Sequence, residues 1–405
     1  MRNKIIVYGS SRPDLHPAIW PNIQSLALGF QQLGYDVLLC DIYNNRSFAY
    51  CLDHLLTKDD IAFSVGFNDC GLHTNIREIG PEELFIYRNL DTPHVSMLLD
   101  VPYNSCASGP EAAVKNHIVT LLDRDAGEYL HHTLPKKHMH QLFLPLGGTE
   151  SPLSLEELLT RKRPYDVVVS SSFWLDAELK PIWEAADFPF PALIPLLDDI
   201  IDYMKAYPVN TPTAVRHVLH DRGLYDEEYM VSMAKFYWPI LSYMKMWRRQ
   251  KSVEFLVQND IPVDVFGGNW DHVPFADKLR IHGTVPYAET LDIFSKAKIV
   301  YQDNAEFNNG AHDRVFTAML HGAAVMSEYS QYLAEEFTDG EELLLFDWQH
   351  GAEQVRELPA LLADEPRRQQ MVLQAYKKAS ARHRWVNRAQ SISEAVHLLY
   401  PERFT

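Results

Sequence analysis

Short apolar runs alternate with amphipathic segments along the chain. Residues 5–8 form an apolar run, residues 23–32 carry apolar side chains at helical spacing, and residues 35–41 form a second apolar run. Gly34 stands where a helix would end. Strands that alternate with helices are typical of a parallel sheet with helices on its faces. The pattern therefore predicts an α/β fold for the first part of the chain.

Two further apolar runs, residues 61–66 and 94–99, extend this predicted sheet and end in polar or turn-forming residues. The carboxyl edge of an open parallel sheet is where ligands bind, so the residues after these strands are site candidates. A charged stretch that ends at Pro164 interrupts the pattern, which restarts with the apolar run 166–170. We therefore predict an N-terminal domain, a C-terminal domain and a C-terminal helix with tail, with the bounds 1–160, 161–390 and 391–405.

The second part of the chain repeats the alternation after a long helical stretch, residues 229–257, in which Pro239 predicts a break or kink. Strands are predicted at residues 262–266, 280–283, 299–302 and 323–327, and helices at residues 287–297 and 312–320. The chain is therefore predicted to hold two Rossmann-like, doubly wound halves, each with its own sheet.

Composition narrows the range of functions that fit this predicted fold. The chain has 405 residues, is 46% hydrophobic and 22% charged, and carries a formal charge of −17. This acidic balance argues against nucleic-acid or anionic-membrane binding, which depend on basic surfaces. No stretch reaches the roughly 18 consecutive apolar residues of a membrane span. The four cysteines form no C-x-x-C pair, so we expect reduced thiols and a cytoplasmic enzyme.

Several common catalytic motifs are missing from the sequence. It has no G-x-G-x-x-G, no P-loop and no G-x-S-x-G elbow, which weakens the Rossmann redox, P-loop and serine-hydrolase interpretations. The dense cluster of His131, His132, His138 and His140 lacks carboxylate or cysteine ligands at metal spacing. A solvated loop is favoured over a metal centre there, and we predict no metal site.

The most informative stretch is residues 308–327, which read as a polar loop, a helix and a buried strand. The N-terminus of a helix offers unpaired N–H groups and a partial positive charge, which suit a phosphate. Arg314 in the first turn could add a bidentate phosphate contact. The alternative is a surface arginine that pairs with Asp313 or Glu306.

This stretch resembles the nucleotide-sugar segment of GT-B glycosyltransferases, and specifically their CgeB-like branch. The matching positions are Asn308 or Asn309, Arg314, Val315, Phe316, Ala318, Met319, Gly322 and Ser327. Residues 266–270, 282–287 and 337–344 are similar to flanking pieces of that family in the same order, and residues 381–388 match its end more loosely. The resemblance covers about residues 260–390 and implies two Rossmann-like parallel-sheet domains that face a cleft.

The resemblance further implies a glycosyltransferase that moves a sugar from a nucleoside diphosphate sugar to an unidentified acceptor, with no cofactor besides that donor. The residues expected to bind the nucleotide sugar are Gly267, Gly268, Gly283, Val285, Tyr287, Asn309, Gly310, Asp313, Arg314 and Thr317. The base would lie near residues 283–287 and the diphosphate near Gly310 and Arg314. No D-x-D pair follows a predicted strand, which favours a reaction that needs no metal.

One position departs from the resembled pattern. In many such enzymes a glutamate accepts hydrogen bonds from the donor ribose, and here that position is Thr317, with Asp313 the nearest carboxylate. A neutral hydroxyl makes a weaker bond than a carboxylate. This departure keeps open a catalytically inactive, glycosyltransferase-like binding or assembly protein. Another GT-B-fold enzyme, such as a nucleotide-sugar epimerase or a phosphorylase, is a further rival.

The N-terminal half is expected to hold the acceptor. Residues 97–102 are similar to a D-x-P segment of the CgeB-like branch, and Asp100 there could act as general base on an acceptor hydroxyl. His16 is the second candidate, because imidazole titrates near neutral pH. The alternatives are a turn-capping carboxylate for Asp100 and an ordinary loop residue for His16.

Overall fold

The computed structural model of this chain divides it into two compact units. It describes residues 2–12, 18–58, 60–68, 70–74, 84–103, 114–134, 139–173, 180–304 and 307–404. The first unit consists of Met1–Thr149 together with Arg382–Thr405, and the second of Glu150–Ala381. In the described part of the chain, no helix combines the length and the apolar character needed to cross a membrane.

The first unit is built on a six-stranded parallel sheet. Its strands are β1 (Lys4–Gly9), β2 (Asp36–Asp41), β3 (Ile61–Phe67), β4 (His73–Thr74), β5 (Leu84–Phe85), β6 (His94–Met97), β7 (His117–Leu121) and β8 (His140–Phe143). The sheet order is β2-β1-β3-β6-β7-β8, and β4 and β5 form a separate antiparallel pair. The helices that precede the second unit are α1 (Ile19–Gln32), α2 (Asn45–Asp53) and α3 (Ala126–Thr133).

The sequence pattern explains why these elements form. Strand β3 is buried along its whole length, as expected of a central strand with helices on both faces. Helix α1 buries Ile23, Leu26 and Phe30, which lie three and four positions apart on one face. The continuous apolar run therefore accounts for strand β3, and the helical spacing of apolar residues accounts for helix α1.

The second unit has its own six-stranded parallel sheet. Its strands are β9 (Tyr165–Ser170), β10 (Val263–Phe266), β11 (Arg280–Gly283), β12 (Ala297–Gln302), β13 (Ala324–Glu328) and β14 (Leu344–Phe346). Their order is β11-β10-β9-β12-β13-β14. The helices are α4 (Leu155–Thr160), α5 (Ile194–Ala206), α6 (Thr211–Asp221), α7 (Glu227–Met233), α8 (Tyr237–Gln258), α9 (Tyr287–Lys296), α10 (Asp313–Leu320), α11 (Gln331–Glu336), α12 (Gly351–Gln354), α13 (Glu357–Ala363) and α14 (Glu365–Arg382).

The strand order of the second sheet contains a reversal that matters for ligand binding. From β9 the chain adds β10 and β11 on one side, then crosses back to add β12, β13 and β14 on the other side. Ligands of open α/β sheets bind outside the carboxyl ends of the strands at such a switch point. In the second unit this point lies between β9 and β12.

The C-terminal segment returns to the first unit through α15 (Trp385–Leu399). This helix packs so closely on α1 that a Cβ atom at Gly29 would lie 2.9 Å from the Cα atom of Val386. Beyond the helix, Arg403 donates a hydrogen bond of 2.6 Å to the carbonyl of Ile61 in β3. These contacts explain why the observed units differ from the predicted bounds 1–160, 161–390 and 391–405. The unit boundaries fall after Thr149 and Ala381, and the last residues complete the first unit.

The predicted class, α/β with two Rossmann-like doubly wound parallel sheets, is confirmed. The effect predicted for Pro239 is wrong in detail. The helical stretch breaks earlier, between α7 and α8, and Pro239 lies in the first turn of α8. A proline in the first turn removes no intrahelical hydrogen bond, so it is tolerated there without a kink.

Candidate functional site

Two arginines converge on the switch point of the second sheet. Arg249 of α8 donates from Nε and Nη2 to the two carboxylate oxygens of Asp303, each at 3.3 Å, just beyond β12. Its Nη1 donates to the carbonyl of Ser172, beyond β9, at 2.6 Å. Arg314 of α10 donates from Nη1 to the carbonyl of Ser170, the last residue of β9. The guanidinium groups therefore tie together the strand ends on both sides of the reversal.

The charges at this point sum to a positive site. Burial alone would raise the pKa of Asp303, but Arg249, Arg314 and Lys245 outweigh it and hold the pKa below the usual value. Burial lowers the pKa of Arg314, and the neighbouring Arg249 lowers it further against the attraction of Asp303. Asp303 thus faces three cations, and Asp313 is a second carboxylate that acts on Arg314. We call Lys245, Arg249, Asp303 and Arg314 the switch-point cluster.

The N-terminus of α10 is capped by a histidine. Nδ1 of His312 lies 3.3 Å from the backbone N–H of Arg314 and accepts its hydrogen bond. The same ring nitrogen lies 2.5 Å from Oδ1 of Asp313, the first residue of the helix. Desolvation and the Arg314 guanidinium lower the pKa of His312, while Asp313 opposes them. The helix terminus predicted to face a phosphate therefore has an ionisable imidazole beside it.

Gly267 and Gly268 join the ends of neighbouring strands. A Cβ atom at Gly267 would lie 1.9 Å from the carbonyl oxygen of Ser171, so no other residue fits without a backbone shift. The N–H of Gly268 donates to Oγ of Ser172 at 3.1 Å, and its carbonyl accepts from the N–H of Phe173 at 2.9 Å. Gly267 and Gly268, both predicted site residues, therefore fix the loop in which the carbonyl of Ser172 accepts a hydrogen bond from Arg249.

The turn after β11 lies at the edge of the same sheet. Gly283 has a φ of +74°, a left-handed conformation that favours glycine, and its carbonyl accepts from the N–H of Gly267 at 2.8 Å. Val285 and Tyr287 follow it and are both half-buried, with Tyr287 beginning α9. Strand β10 stands between this turn and β9. The predicted base-binding residues therefore share the carboxyl edge with the switch-point cluster.

Two side chains fix the loop before α10 by hydrogen bonds. The carbonyl of Gly310 accepts from Oγ of Ser330 at 2.7 Å and from Nδ2 of Asn304 at 3.5 Å. Asn309 in this loop is half-buried. Thr317, one turn into α10, is only 2% exposed. The position at which the resembled family has a ribose-binding glutamate is therefore buried in this chain.

The two predicted catalytic residues belong to the first unit. Asp100 follows β6 at the carboxyl edge of the first sheet and is half-buried. The loop before it is fixed by Asn68, whose Oδ1 accepts the N–H of Leu99 at 3.0 Å. His16 lies outside the described residues, as does His138 of the histidine cluster. The catalytic role of Asp100 stays a prediction.

A second buried carboxylate supports the loop that carries Asp303. Glu328 ends β13, is 2% exposed, and accepts from the N–H of Asn304 at 2.8 Å and from the indole N–H of Trp348 at 2.5 Å. Burial raises the pKa of Glu328, and Arg248, with Nη1 at 3.6 Å, opposes that rise. Glu328 therefore fixes the backbone next to the switch-point cluster.

The sequence interpretation missed three members of the switch-point cluster. Asp303 directly follows the apolar run 299–302, the same signal that pointed to Asp100, and could have been found by that rule. Lys245 and Arg249 lie inside a long helix rich in methionine and aromatic residues, and no motif marks them. Only the packing of α8 against the sheet brings them to Asp303.

Comparison with known proteins now adds to this geometry. Residues 248–394 match the family model described as glycosyl transferase-like. No curated protein matches the sequence. Solved structures with similar folds include the Anabaena protein HepE in complex with UDP and glucose, at 11% identity, covering 98% of this chain and 99% of that one, with a TM-score of 0.49.

Two other solved structures differ in the share of their own length that this chain covers. Sucrose-phosphate synthase from Thermosynechococcus elongatus is 11% identical, with 99% of this chain and 100% of that one covered and a TM-score of 0.48. TarM of S. aureus is 8% identical, with 89% of this chain covered and a TM-score of 0.43. The chain spans only 58% of the length of TarM. Arg249, Asp303 and Arg314 all lie in the segment that is similar to the glycosyl transferase-like family model.

Proposed function

We propose that the chain is a glycosyltransferase that moves a sugar from a nucleoside diphosphate sugar to an acceptor hydroxyl. The observation that carries the proposal is the switch-point cluster, in which Arg249 and Arg314 hold the strand ends beside Asp303. The cluster lies where open α/β sheets bind ligands, and it has an excess of positive charge. A diphosphate supplies the opposite charge at that place.

The same cations would serve the chemical step. When the sugar leaves the donor, negative charge develops on the diphosphate, and preorganised donors aimed at that charge stabilise the transition state. Arg314 and Arg249 are already fixed by backbone carbonyls, so little reorganisation is needed. We propose on this ground that the reaction needs no divalent metal and no cofactor beyond the donor.

Proton transfer from the acceptor completes the reaction. We assign it to Asp100, whose carboxylate would take the hydroxyl proton while the acceptor oxygen bonds to the anomeric carbon and the bond to the diphosphate breaks. The position of Asp100 at the carboxyl edge of the first sheet supports this role. The donor sugar and the acceptor are open parts of the proposal.

A second candidate function is a glycosyltransferase-like binding or assembly protein without turnover. The observation that favours it is the burial of Thr317 at the position of the ribose-binding glutamate. Turnover separates the two candidates. An enzyme releases nucleoside diphosphate from one donor in a panel of nucleotide sugars, even slowly and with water as acceptor, whereas a binding protein releases none.

The diphosphate assignment is tested by titration calorimetry with UDP, GDP, ADP, CDP and TDP. Arg314→Ala is expected to weaken the binding of the preferred nucleotide by about 1.5–3 kcal/mol, the range for hydrogen bonds to charged groups. Arg367→Ala is the matched control, because Arg367 is an exposed arginine of the same unit whose ion-pair distance to Glu357 is 3.5 Å. Equal affinities of wild type and folded Arg314→Ala would refute the assignment.

Metal independence has its own measurement. Release of nucleoside diphosphate from the preferred donor should be unchanged after the protein is dialysed against excess EDTA. Loss of turnover in EDTA that added Mg²⁺ or Mn²⁺ restores would show that a metal shares the leaving-group charge.

A further inference from the structure

The amino edge of the second sheet holds a basic cavity on the side opposite to the switch-point cluster. Its volume is about 480 Å³. Arg163 stands two residues before β9, Lys298 is the second residue of β12, and Gly322 stands two residues before β13. Since all these strands are parallel, their amino ends meet at one edge, well separated along the strands from the carboxyl edge.

Cations dominate the lining of this cavity. The charged residues are the cations Arg161, Lys162, Arg163, Lys298 and Arg368 and the carboxylate Glu365. Two of the cations pair with carboxylates at the rim, Arg161 with Asp292 at 2.5 Å and Lys298 with Asp166 at 2.6 Å. The cavity keeps an excess of positive charge after these pairs are counted, although the chain as a whole carries −17.

Two of the arginines form a rigid frame. Arg163 donates to the carbonyls of Ala297 at 2.6 Å and Leu158 at 3.0 Å, among others. Arg368 is only 8% exposed and donates from Nη1 to the carbonyls of Leu361 and Leu362 at 3.0 and 2.8 Å. Within the part of the chain that the structure describes, Nε and Nη2 of Arg368 make no hydrogen bond. The side chain of Arg368, nine-tenths buried, therefore lines the cavity and can donate further hydrogen bonds from Nε and Nη2 to a ligand.

The cations raise one another's electrostatic energy. Burial, followed by the repulsion of Arg368 and Arg161, lowers the pKa of Arg163 to about 10. An anion in the cavity would relieve this repulsion. Leu158 and Val372 add a buried apolar wall, so the cavity also offers a surface for the uncharged part of a ligand. A volume of this size is within the range of small-molecule sites, roughly 300–1,000 Å³.

We propose that this amino-edge cavity is a second ligand site, and that it binds a phosphate-bearing small molecule. A phosphate monoester carries close to two charges and several acceptor oxygens, so it gains from cations on different elements, here α14 and the strand β12 with the segment before β9. A concave site suits a small molecule better than a membrane surface, which the acidic chain as a whole would repel. This site is independent of the donor site.

Titration calorimetry of the full chain with inorganic pyrophosphate at constant ionic strength tests the proposal. The double variant Lys162→Ala/Lys298→Ala should weaken binding at the cavity about tenfold or more, the factor that a hydrogen bond to a charged group contributes. Lys162 is exposed and makes no hydrogen bond or ion pair among the described residues, so Lys162→Ala alone leaves the fold intact and should weaken binding in the same direction. Arg367→Ala on the exposed side of α14 is the matched control and should change nothing.

The variant Arg314→Ala separates the two sites. It should weaken pyrophosphate binding at the switch-point cluster and leave binding at the amino-edge cavity unchanged, so the double variant and Arg314→Ala should alter different parts of the binding isotherm. The proposal is overturned if the wild-type protein binds no pyrophosphate at concentrations up to about 10 mM, because a dissociation constant above that value is weaker than that of an ordinary metabolite site. It is also overturned if Arg314→Ala abolishes all binding while the double variant binds like wild type.

Discussion

The two sheets have similar parallel architectures but bury different kinds of polar groups. In the first sheet two buried polar pairs between neighbouring strands are neutral. Oγ of Ser64 lies 2.8 Å from Nδ1 of His94 on the next strand, and Oγ of Ser96 lies 2.8 Å from Nε2 of His117 one strand further. These residues come from β3, β6 and β7, the central strands, and all of them are buried.

The second sheet has one such neutral pair, in which Nε2 of Gln302 donates to Oγ of Ser327 at 3.2 Å, but it also has two buried ion pairs. Arg249 pairs with Asp303, and Arg248 lies 3.6 Å from Glu328, with all four residues buried. Both carboxylates stand at the carboxyl ends of their strands, whereas the neutral pairs of the first sheet lie within the strands. Burying a charge is expensive unless it is paired, so charges in a core need a reason beyond stability.

The difference teaches where each kind of ligand can be held. A sheet with fixed charges at its carboxyl edge can exchange part of its internal pairing for an anionic ligand, which suits the donor diphosphate. The first sheet instead has carboxylates at its carboxyl edge, Asp100 after β6 and the buried Asp123 after β7, which suit an acceptor hydroxyl rather than an anion. The following predictions test this division of labour.

The largest expected effect is on catalysis from the first unit. Asp100→Asn should lower donor turnover by about 10²–10⁴-fold, the usual contribution of a general base. The affinity for nucleoside diphosphate should stay as in wild type, because the nucleotide is assigned to the second sheet. Release of nucleoside diphosphate and calorimetry together measure both quantities.

Asp91→Asn is the control for Asp100, since Asp91 is exposed on the same unit and pairs with Lys115 at 2.5 Å. If Asp100→Asn turns over the donor as wild type does, Asp100 only caps its turn. If it loses nucleotide affinity instead, the division between the two sheets is wrong.

A smaller but still large effect is expected on stability in the second unit. Thr317 is buried, so Thr317→Glu places a carboxylate without a partner in the core of α10 and should cost about 3–5 kcal/mol. Thr317→Val keeps the shape and removes only the hydroxyl, with an expected cost of about 1 kcal/mol. Urea unfolding with and without nucleotide measures both variants. A stable Thr317→Glu protein that binds nucleotide more tightly would show that this side chain reaches the ribose.

The fold class was predictable because the alternation of apolar runs with segments of helical apolar spacing is a local property of the sequence. The strands β1, β3, β9 and β12 each contain an apolar run, and α1 has a face of apolar residues at helical spacing. The unit to which α15 belongs is not a local property. Its apolar face could cover either sheet, and only the close approach of Val386 to Gly29 decides for the first.

The candidate site was predictable only where a residue follows a strand or fits a motif. Arg314 is marked by the resembled pattern, and the structure brings it to Ser170 at the switch point. Arg249 comes from a helix far from that motif in sequence, and its contact with Asp303 depends on tertiary packing. Gly267 is marked by the pattern, but its close contact with the carbonyl of Ser171 shows only in three dimensions.

The neutral pairs of the first sheet lead to a pH effect through His94. His94 is fully buried, its Nε2 has no hydrogen-bond partner among the described residues, and its Nδ1 is taken by Ser64. The rings of Tyr87 and Tyr8 lie 4.8 and 6.2 Å away, and His117 lies 6.2 Å away on the next strand. Burial, followed by the charge of His117, lowers the pKa of His94 well below its usual value.

The smallest predicted effect follows from the sign of that shift. Because the folded-state pKa of His94 is lowered, the unfolded chain binds a proton that the folded first unit excludes, so stability is lost as the pH falls below about 6.5, the unfolded value. The loss is about 1.4 kcal/mol per pH unit for one excluded proton, until the folded-state pKa is reached. His94→Gln removes the titrating group and should flatten this slope, whereas His397→Gln, at an exposed position, should leave it unchanged. Urea unfolding between pH 5 and pH 7.5 measures the slopes, and equal slopes for wild type and His94→Gln would show that the neutral pairs of the first sheet tolerate protonation.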